Sequence, residues 1–273
     1  MHGRVASTHH LTPALVRVVL EGGDLAGLEM PDATDAYVNV AFRTGRATYD
    51  EVFDPQAVRD SHPADEQPAR RRYTVRAWDP EHARLTVDFV VHGDSGVAGP
   101  WAVGARPGDV LVFTGPSGGY RPDPTADWHL MVGDESALPA IAASLEVLPA
   151  GARAVVRLVC DGPDHEVDLP SDADIDLVWL HRRGDGRDAS LLVAAVEALD
   201  FAAVDPGGGT PFGFVHGEAD EIRGVRRHLL TERGLSRGQL SCSPYWRRTM
   251  TDEAWRRIKR DYVAAMEDDA VAS

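Results

Sequence analysis

The run Val91-His92-Gly93-Asp94-Ser95-Gly96-Val97-Ala98-Gly99-Pro100-Trp101 sets a serine between an aspartate and a glycine, three positions after a histidine. Gly-Asp-Ser-Gly can surround a nucleophilic serine, so acyl transfer at Ser95 with His92 as base is one chemistry the run offers. A glycine-rich anion loop is another. Gly93, Gly96, Gly99 and Pro100 free the backbone to approach a ligand, and Trp101-Ala102-Val103 can open a short helix whose amides bind negative charge. A plain glycine-rich hairpin is the third. His92 sits too close to Ser95 in the chain to meet it without a special turn, and motifs this short transfer poorly between families.

A second concentration of chemistry is Arg70-Arg71-Arg72-Tyr73-Thr74-Val75-Arg76, four of the chain's 28 basic residues in seven positions. On a strand, Arg71 and Tyr73 share one side while Arg72, Thr74 and Arg76 share the other. A guanidinium two residues before an aromatic ring suits a nucleotide cofactor, the fork taking phosphate oxygens and the ring stacking on a flat heterocycle. An edge strand carrying arginines for solubility is the competing reading.

Two weaker groups follow. Gly133-Asp134-Glu135-Ser136 lies where a strand passes into a helix, the position at which an open parallel sheet binds a dinucleotide. It lacks the usual glycine triplet, and it puts two carboxylates where a pyrophosphate prefers bare amides. Gly133 is expected to admit a close backbone approach, with Ser136 as an N-cap. Near the end come Gly217-Glu218-Ala219 and Ser243-Pro244-Tyr245-Trp246-Arg247-Arg248. The last segment reads either as cover for a planar anion or as a packing element with Trp246 inside and the arginines in surface pairs.

The elements that position these residues fall in two halves. Up to about residue 115, short alternating runs such as Leu15–Leu20, Tyr37–Phe42, Tyr73–Trp78, Leu85–Val91 and Val110–Phe113 predict a closed six-stranded antiparallel barrel. Residues 43–69 read as a long loop. The breaker-rich Gly115–Pro124 divides the chain into residues 1–120 and 125–273. Beyond it, strand-like runs at His129–Val132, Ala154–Val159, Ile175–Leu180 and Phe212–Val215 alternate with helical ones at Ala137–Leu148, Ala189–Leu199, Glu221–Arg233 and Asp252–Met266. That order predicts a Rossmann-like parallel α/β unit. A net charge of −15 argues against nucleic acid and anionic membrane as partners. Two distant cysteines, Cys160 and Cys242, fit a reducing compartment and offer no metal spacing. With no leader pattern and no long apolar run, a cytoplasmic protein is expected.

In order along nearly the whole chain, Arg71-Arg72-Tyr73-Thr74-Val75-Arg76, Val91-His92-Gly93-Asp94 with Gly99-Pro100-Trp101-Ala102, Gly133–Ile141 and Gly217-Glu218-Ala219 resemble the siderophore-interacting proteins. These are FAD-dependent ferric-siderophore reductases of the ferredoxin-NADP reductase superfamily. The resemblance implies that Arg71 contacts the FAD pyrophosphate, Tyr73 stacks on the isoalloxazine and Thr74 approaches the flavin N5 edge, partly through its backbone. His92 and Gly93 would line the ribityl region, and the loop through Gly99, Pro100, Trp101 and Ala102 would cradle the pyrophosphate, making Ser95 part of a loop. Val75, Asp88, Val91, Asp134 and Ser136 are further implied cofactor contacts. Arg247 and Arg248 would attract an anionic ferric siderophore beside the catalytic Tyr73 and Thr74, with no metal ligand supplied by the protein. NADH, NADPH or a ferredoxin would be the donor, and a monomer is expected.

Two departures touch the acceptor side. Asn39 stands where the family often has a lysine, and Ser243-Pro244 replaces the usual glycine before Tyr245-Trp246. A less anionic acceptor is therefore an alternative, as in an NAD(P)H:flavin or quinone reductase, and so is a redox module without turnover. Cys160-Asp161-Gly162-Pro163-Asp164 carries no arginine cluster for a 2′-phosphate and favours NADH, although His181-Arg182-Arg183 and Arg187 offer one from another loop.

Overall fold

Six strands come from the alternating first half: β1 (His2–Thr12), β2 (Leu15–Glu21), β3 (Tyr37–Phe42), β4 (Ala69–Asp79), β5 (Arg84–Val90) and β6 (Val110–Ser117). In the computed structural model, which describes residues 1–93, 96–182 and 190–269, they close in the order β1-β2-β5-β4-β3-β6, with β6 returning to β1. All pairs are antiparallel. Closure leaves no free edge. Alternation sends Val18, Leu20, Val38, Val40, Leu85, Val87, Phe89 and Phe113 into the barrel, all fully buried. Each such side chain contributes roughly 1.5–3 kcal/mol by leaving water. The chain divides into two units, Met1–Arg121 and Pro122–Ser273.

Residues 43–69 are not wholly loop, because α1 (Pro55–Ser61) interrupts them. Asp54 caps it, accepting from the Gln56 and Ala57 amides at 2.7 and 3.2 Å, and Pro55 takes the first helical position, where its missing N–H costs nothing. The short helix expected around Trp101 is α2 (Ala98–Gly104).

The second unit holds five parallel strands, β7 (Trp128–Asp134), β8 (Arg153–Cys160), β9 (Asp174–His181), β10 (Pro211–Glu218) and β11 (Leu240–Trp246), in the order β11-β10-β7-β8-β9. Its helices are α3 (Leu138–Glu146), α4 (Leu191–Glu197), α5 (Phe201–Val204), α6 (Ala219–Thr231) and α7 (Asp252–Asp268). Strand β11 and helix α5 lie outside the expected set. Pro244 obscures β11 in the sequence, yet β11 is an edge strand with one neighbour, β10, so the missing N–H breaks no inner ladder. On α6, Ile222, Val225 and Leu229 recur at helical spacing and bury their stripe with Leu130, Val132, Val155 and Val215 of the sheet. The strand order turns back between β7 and β10, which fixes the crevice at their C-terminal ends as the place where such sheets take ligands.

Candidate functional site

In the barrel unit, β4 turns Tyr73 and Val75 toward the core. The Tyr73 ring lies 4.3 Å from Phe89 of β5, Phe89 lies 5.5 Å from Trp101 of α2, and Trp101 lies 5.7 Å from Phe42. This ladder gathers one end of the barrel around Tyr73, whose ring stays half-buried, and ties α2 to it. Val91 and Val97 pack on the same core from either side of the glycine turn. Within that turn Gly93 and Gly96 take positive φ, 58° and 81°, and the exposed His92 precedes them. Gly99 and Ala102 are buried and Pro100 is exposed, and the N-cap residue of α2 is Val97, whose side chain makes no cap bond. A Cβ on Gly99 would lie 3.4 Å from the Val91 Cα, so the turn and the end of β5 pack backbone to backbone. Arg71 shares the face of Tyr73, and its Nη1 donates to the Arg70 carbonyl at 2.9 Å. A braced ring, an arginine two residues before it and an adjoining glycine-rich turn leading into a helix fit the flat ring and diphosphate of a flavin dinucleotide. Asp94 and Ser95 lie outside the described residues.

The other face of β4 carries Arg72 and Thr74. Asn39 of β3 stands opposite Arg72, and Tyr37 opposite the buried Thr74. The Arg72 Nε donates to Asn39 Oδ1 at 3.2 Å, and its guanidinium lies 5.4 Å from the Tyr37 ring centre. Asp88, an implied cofactor contact, is otherwise engaged. It is buried on β5, and its two oxygens accept from Arg17 Nε and Nη2 at 2.7 and 2.8 Å. The pair locks β2 to β5.

In the α/β unit the switch-point crevice is filled by the protein's own carboxylates. Asp134, 2% exposed, accepts from the Ser136 amide and hydroxyl at 2.9 and 2.5 Å on one oxygen. Its other oxygen accepts from the Glu218 amide at 2.9 Å and Trp246 Nε1 at 2.8 Å. Asp134 and Ser136, which the resemblance implies as cofactor contacts, are bonded to each other, and the carboxylate occupies four donors at the crevice. Ser136 is not the N-cap of α3, that place being Ala137. Gly133 does make a close approach, but to the protein itself, since a Cβ there would meet Ala137 and the His216 carbonyl at 2.6 and 2.7 Å. Gly217, at φ 144°, lies flat against the Asp134 carboxylate, which would stand 2.7 Å from a Cβ.

Of the next two acids, sequence reasoning singled out Glu218 within Gly217-Glu218-Ala219 without giving it a role, and missed Glu221. Glu218 caps α6 through the Asp220 and Glu221 amides at 2.9 and 3.1 Å and also accepts from the Arg248 amide at 3.0 Å. Glu221 accepts from the Leu192 amide at 2.9 Å and from Arg248 Nη2 at 3.2 Å, and burial pushes its carboxyl up to about 7. Arg247 faces Asp220 at 3.4 Å and lies over the Tyr262 ring. Both arginines expected to attract an anion are thus paired with acids of α6, and the partly buried Trp246 is bonded to Asp134. Their signal in sequence was Glu218 directly before a helix, a capping acid.

At the far side of the crevice Arg182 donates two bonds to buried Glu135 at 2.6 and 2.7 Å and a third to Asp161 at 3.0 Å. Burial pushes the Glu135 carboxyl up against the pull of that guanidinium. His181 meets Glu166 at 2.8 Å. Arg183 and Arg187 lie outside the described residues.

A closed six-stranded barrel followed by a five-stranded parallel sheet is the ferredoxin-reductase-like fold. Phthalate dioxygenase reductase shares the fold at a TM-score of 0.61 and 14% identity, over 93% of this chain and 70% of that one. Residues 4–120 match the siderophore-interacting FAD-binding domain, and residues 126–249 match the siderophore-interacting protein family. Ferric vibriobactin reductase ViuB of Vibrio cholerae is 33% identical over 90% of this chain and 89% of its own. The siderophore-interacting protein SipS of Aeromonas hydrophila superimposes with a TM-score of 0.81 at 27% identity, covering 97% of this chain and 98% of that one. The chain belongs to the siderophore-interacting protein family and carries its FAD-binding domain.

Proposed function

We propose that this protein is a cytoplasmic FAD-dependent reductase that releases iron from ferric siderophores with electrons from NADH. The observation that carries the reading is the end of the barrel, where the Tyr73–Phe89–Trp101 ladder sets a ring beside a glycine-rich turn, with Arg71 on the same strand face. The similarity to ferric vibriobactin reductase ViuB supports the reaction class.

Bound FAD would supply the junction between a two-electron hydride donor and one-electron acceptors, so one hydride serves two Fe(III). The chain's residues would do the rest. Tyr73, braced by Phe89, orients the flat ring, and Arg71 and the amides around Gly99 and Trp101 neutralise the diphosphate. Val75, Val91, His92, Gly93, Pro100 and Ala102 would belong to the surrounding wall, and Thr74 would approach the flavin through its backbone. Fe(III) is the substrate. Hard anionic oxygen donors hold it far better than Fe(II), so its reduction loosens the chelate.

The acids at the C-terminal edge of the sheet support NADH over NADPH. Arg182 is committed to Glu135 and Asp161 and leaves no fork for a 2′-phosphate, while Asp161 at the end of β8 suits a ribose hydroxyl. A second reading, a quinone or flavin reductase on the same scaffold, is favoured by the pairing of Arg247 and Arg248 with acids. It predicts turnover with quinones and no preference for ferric chelates.

The test of the flavin site is the double variant Arg71→Ala, Tyr73→Ala. It should lose bound FAD by about 100-fold or more in affinity, the sum of a stack and charge-assisted bonds, while its circular dichroism stays that of the parent. Unchanged flavin content would overturn the assignment.

A further inference from the structure

The edge strands of a sheet carry a row of unpaired N–H and C=O groups, which proteins commonly blunt with proline, lysine or a bulge. Edge strand β11 is blunted in this way, by Pro244 and by the shift of register beside it. The other edge, β9, is not. Its pairing with β8 runs unbroken from Asp174 to His181, and Asp174-Ile175-Asp176-Leu177-Val178-Trp179-Leu180-His181 holds neither proline nor lysine. It is also the one strand of the five with no buried residue, and Val178 is 38% exposed. One cause is the connection before it, which holds a single 3-10 turn (Pro163–His165) where β7 and β8 are joined by helix α3. The Asp174 and Arg182 amides donate to the carbonyls of Ala152 and Cys160, at the two ends of β8, at 2.8 and 2.9 Å. In a parallel ladder alternate residues turn to the same neighbour, so Asp174, Asp176, Val178, Leu180 and Arg182 face β8. The N–H and C=O groups of Ile175, Leu177, Trp179 and His181 point outward, and among the described residues nothing pairs with them.

We propose that β9 pairs antiparallel with β9 of a second copy of this chain, about a two-fold axis at Val178, joining two sheets into one. That register uses every outward group. Ile175 exchanges both bonds with His181 of the second copy and Leu177 with Trp179, and the reciprocal pairs complete the set. The two Val178 side chains meet at the axis in a non-hydrogen-bonded pair, where side chains across an antiparallel ladder come closest. Leu177 and Trp179 lie side by side on the other face. Charge permits the contact. Asp174 and Asp176 are held by Arg153 and Arg157 of β8 at 2.8 and 3.1 Å. The register sets Asp174 opposite Arg182 and Asp176 opposite Leu180, so acid meets base or an apolar chain and never acid. The repulsion between two chains of net charge −15 is screened by salt beyond about 8 Å. Where the sequence led to the expectation of a monomer, this edge makes a dimer.

The experiment is sedimentation velocity on the flavin-loaded full chain over a range of micromolar concentrations, with two variants. Val178→Lys sets like charges face to face at the axis, and Leu177→Pro removes an outward N–H while leaving the ladder to β8 intact. The proposal expects a dimer in the parent and, in each variant, a dimer dissociation constant raised at least about tenfold, with parental circular dichroism and flavin content. The register has its own test. On mild oxidation Val178→Cys should form a disulfide-linked dimer, and Asp176→Cys, which faces Leu180, should not. A parent that stays monomeric, a dimer indifferent to both substitutions, or a Val178→Cys variant that cross-links no faster than Asp176→Cys would overturn the proposal, and each would leave the flavin and reductase assignments standing.

Discussion

Replacing Asp134 by asparagine separates a structural carboxylate from a cofactor ligand. The side chain keeps its shape, but one acceptor oxygen becomes a donor. If that nitrogen faces the Glu218 amide and Trp246 Nε1, two donors meet a donor; if it faces Ser136, the Ser136 amide does, while the Ser136 hydroxyl rotates to accept from it. The flipped amide is the better fit and still loses one bond to a charged, buried acceptor, worth about 1.5–3 kcal/mol. At about 2–4 °C per kcal/mol for a unit of this size the melting point should fall by roughly 3–12 °C. The assay is a thermal melt followed by tryptophan fluorescence, with bound flavin as a separate probe of the barrel. The α/β transition should move while FAD affinity stays within twofold. A melting point within about 1 °C of the parent, together with weakened cofactor or donor binding, would refute the structural role.

Two further outcomes follow from buried charge. Glu221 has its carboxyl raised from 4.5 to about 7, mainly by burial, so the folded state keeps a proton that the unfolded state releases. Its contribution is full below pH 4.5 and is lost as pH rises through about 7, a change of at most about 3 kcal/mol. His216, lowered to about 3 by burial, acts oppositely as pH falls below 6.5. The readout is therefore the difference between parent and Glu221→Gln in urea melts from pH 4.5 to 7, where the variant should lose the falling component; identical slopes would contradict it. Arg182→Ala should cost about 3–5 kcal/mol by stranding buried Glu135, with the ratio of kcat/KM for NADH and NADPH unchanged. Selective loss of NADPH use at unchanged stability would instead make Arg182 a 2′-phosphate ligand.

The barrel was legible because inward Val, Leu and Phe alternate with polar residues and Gly or Pro punctuates every turn. Strand β11 was not, since Pro244 argues against a strand unless the strand is known to be at an edge, and sheet order is a long-range property. Helix α1 left only the Asp54-Pro55 pair as a signal. At the site, alternation correctly parted Tyr73 from Arg72, because period two follows from the pleat alone. The fate of Asp134, Arg247 and Arg248 was illegible for the converse reason. Their partners Glu218, Asp220 and Glu221 are 26 or more residues away in the chain, and it takes the β7–β10 and β10–β11 pairings to bring them together. Asp88 and Arg17 repeat the lesson across β2 and β5.

The most direct measurement is an anaerobic visible spectrum of the purified protein, loaded with FAD and freed of excess, on addition of NADH and then a ferric tris-catecholate with a ferrous chelator. The account predicts a retained flavin band that bleaches with NADH faster than with NADPH and recovers as the ferrous complex appears, two Fe(II) per NADH. A protein that retains no flavin, or whose reduced flavin is reoxidised by quinone but not by any ferric chelate, would contradict it.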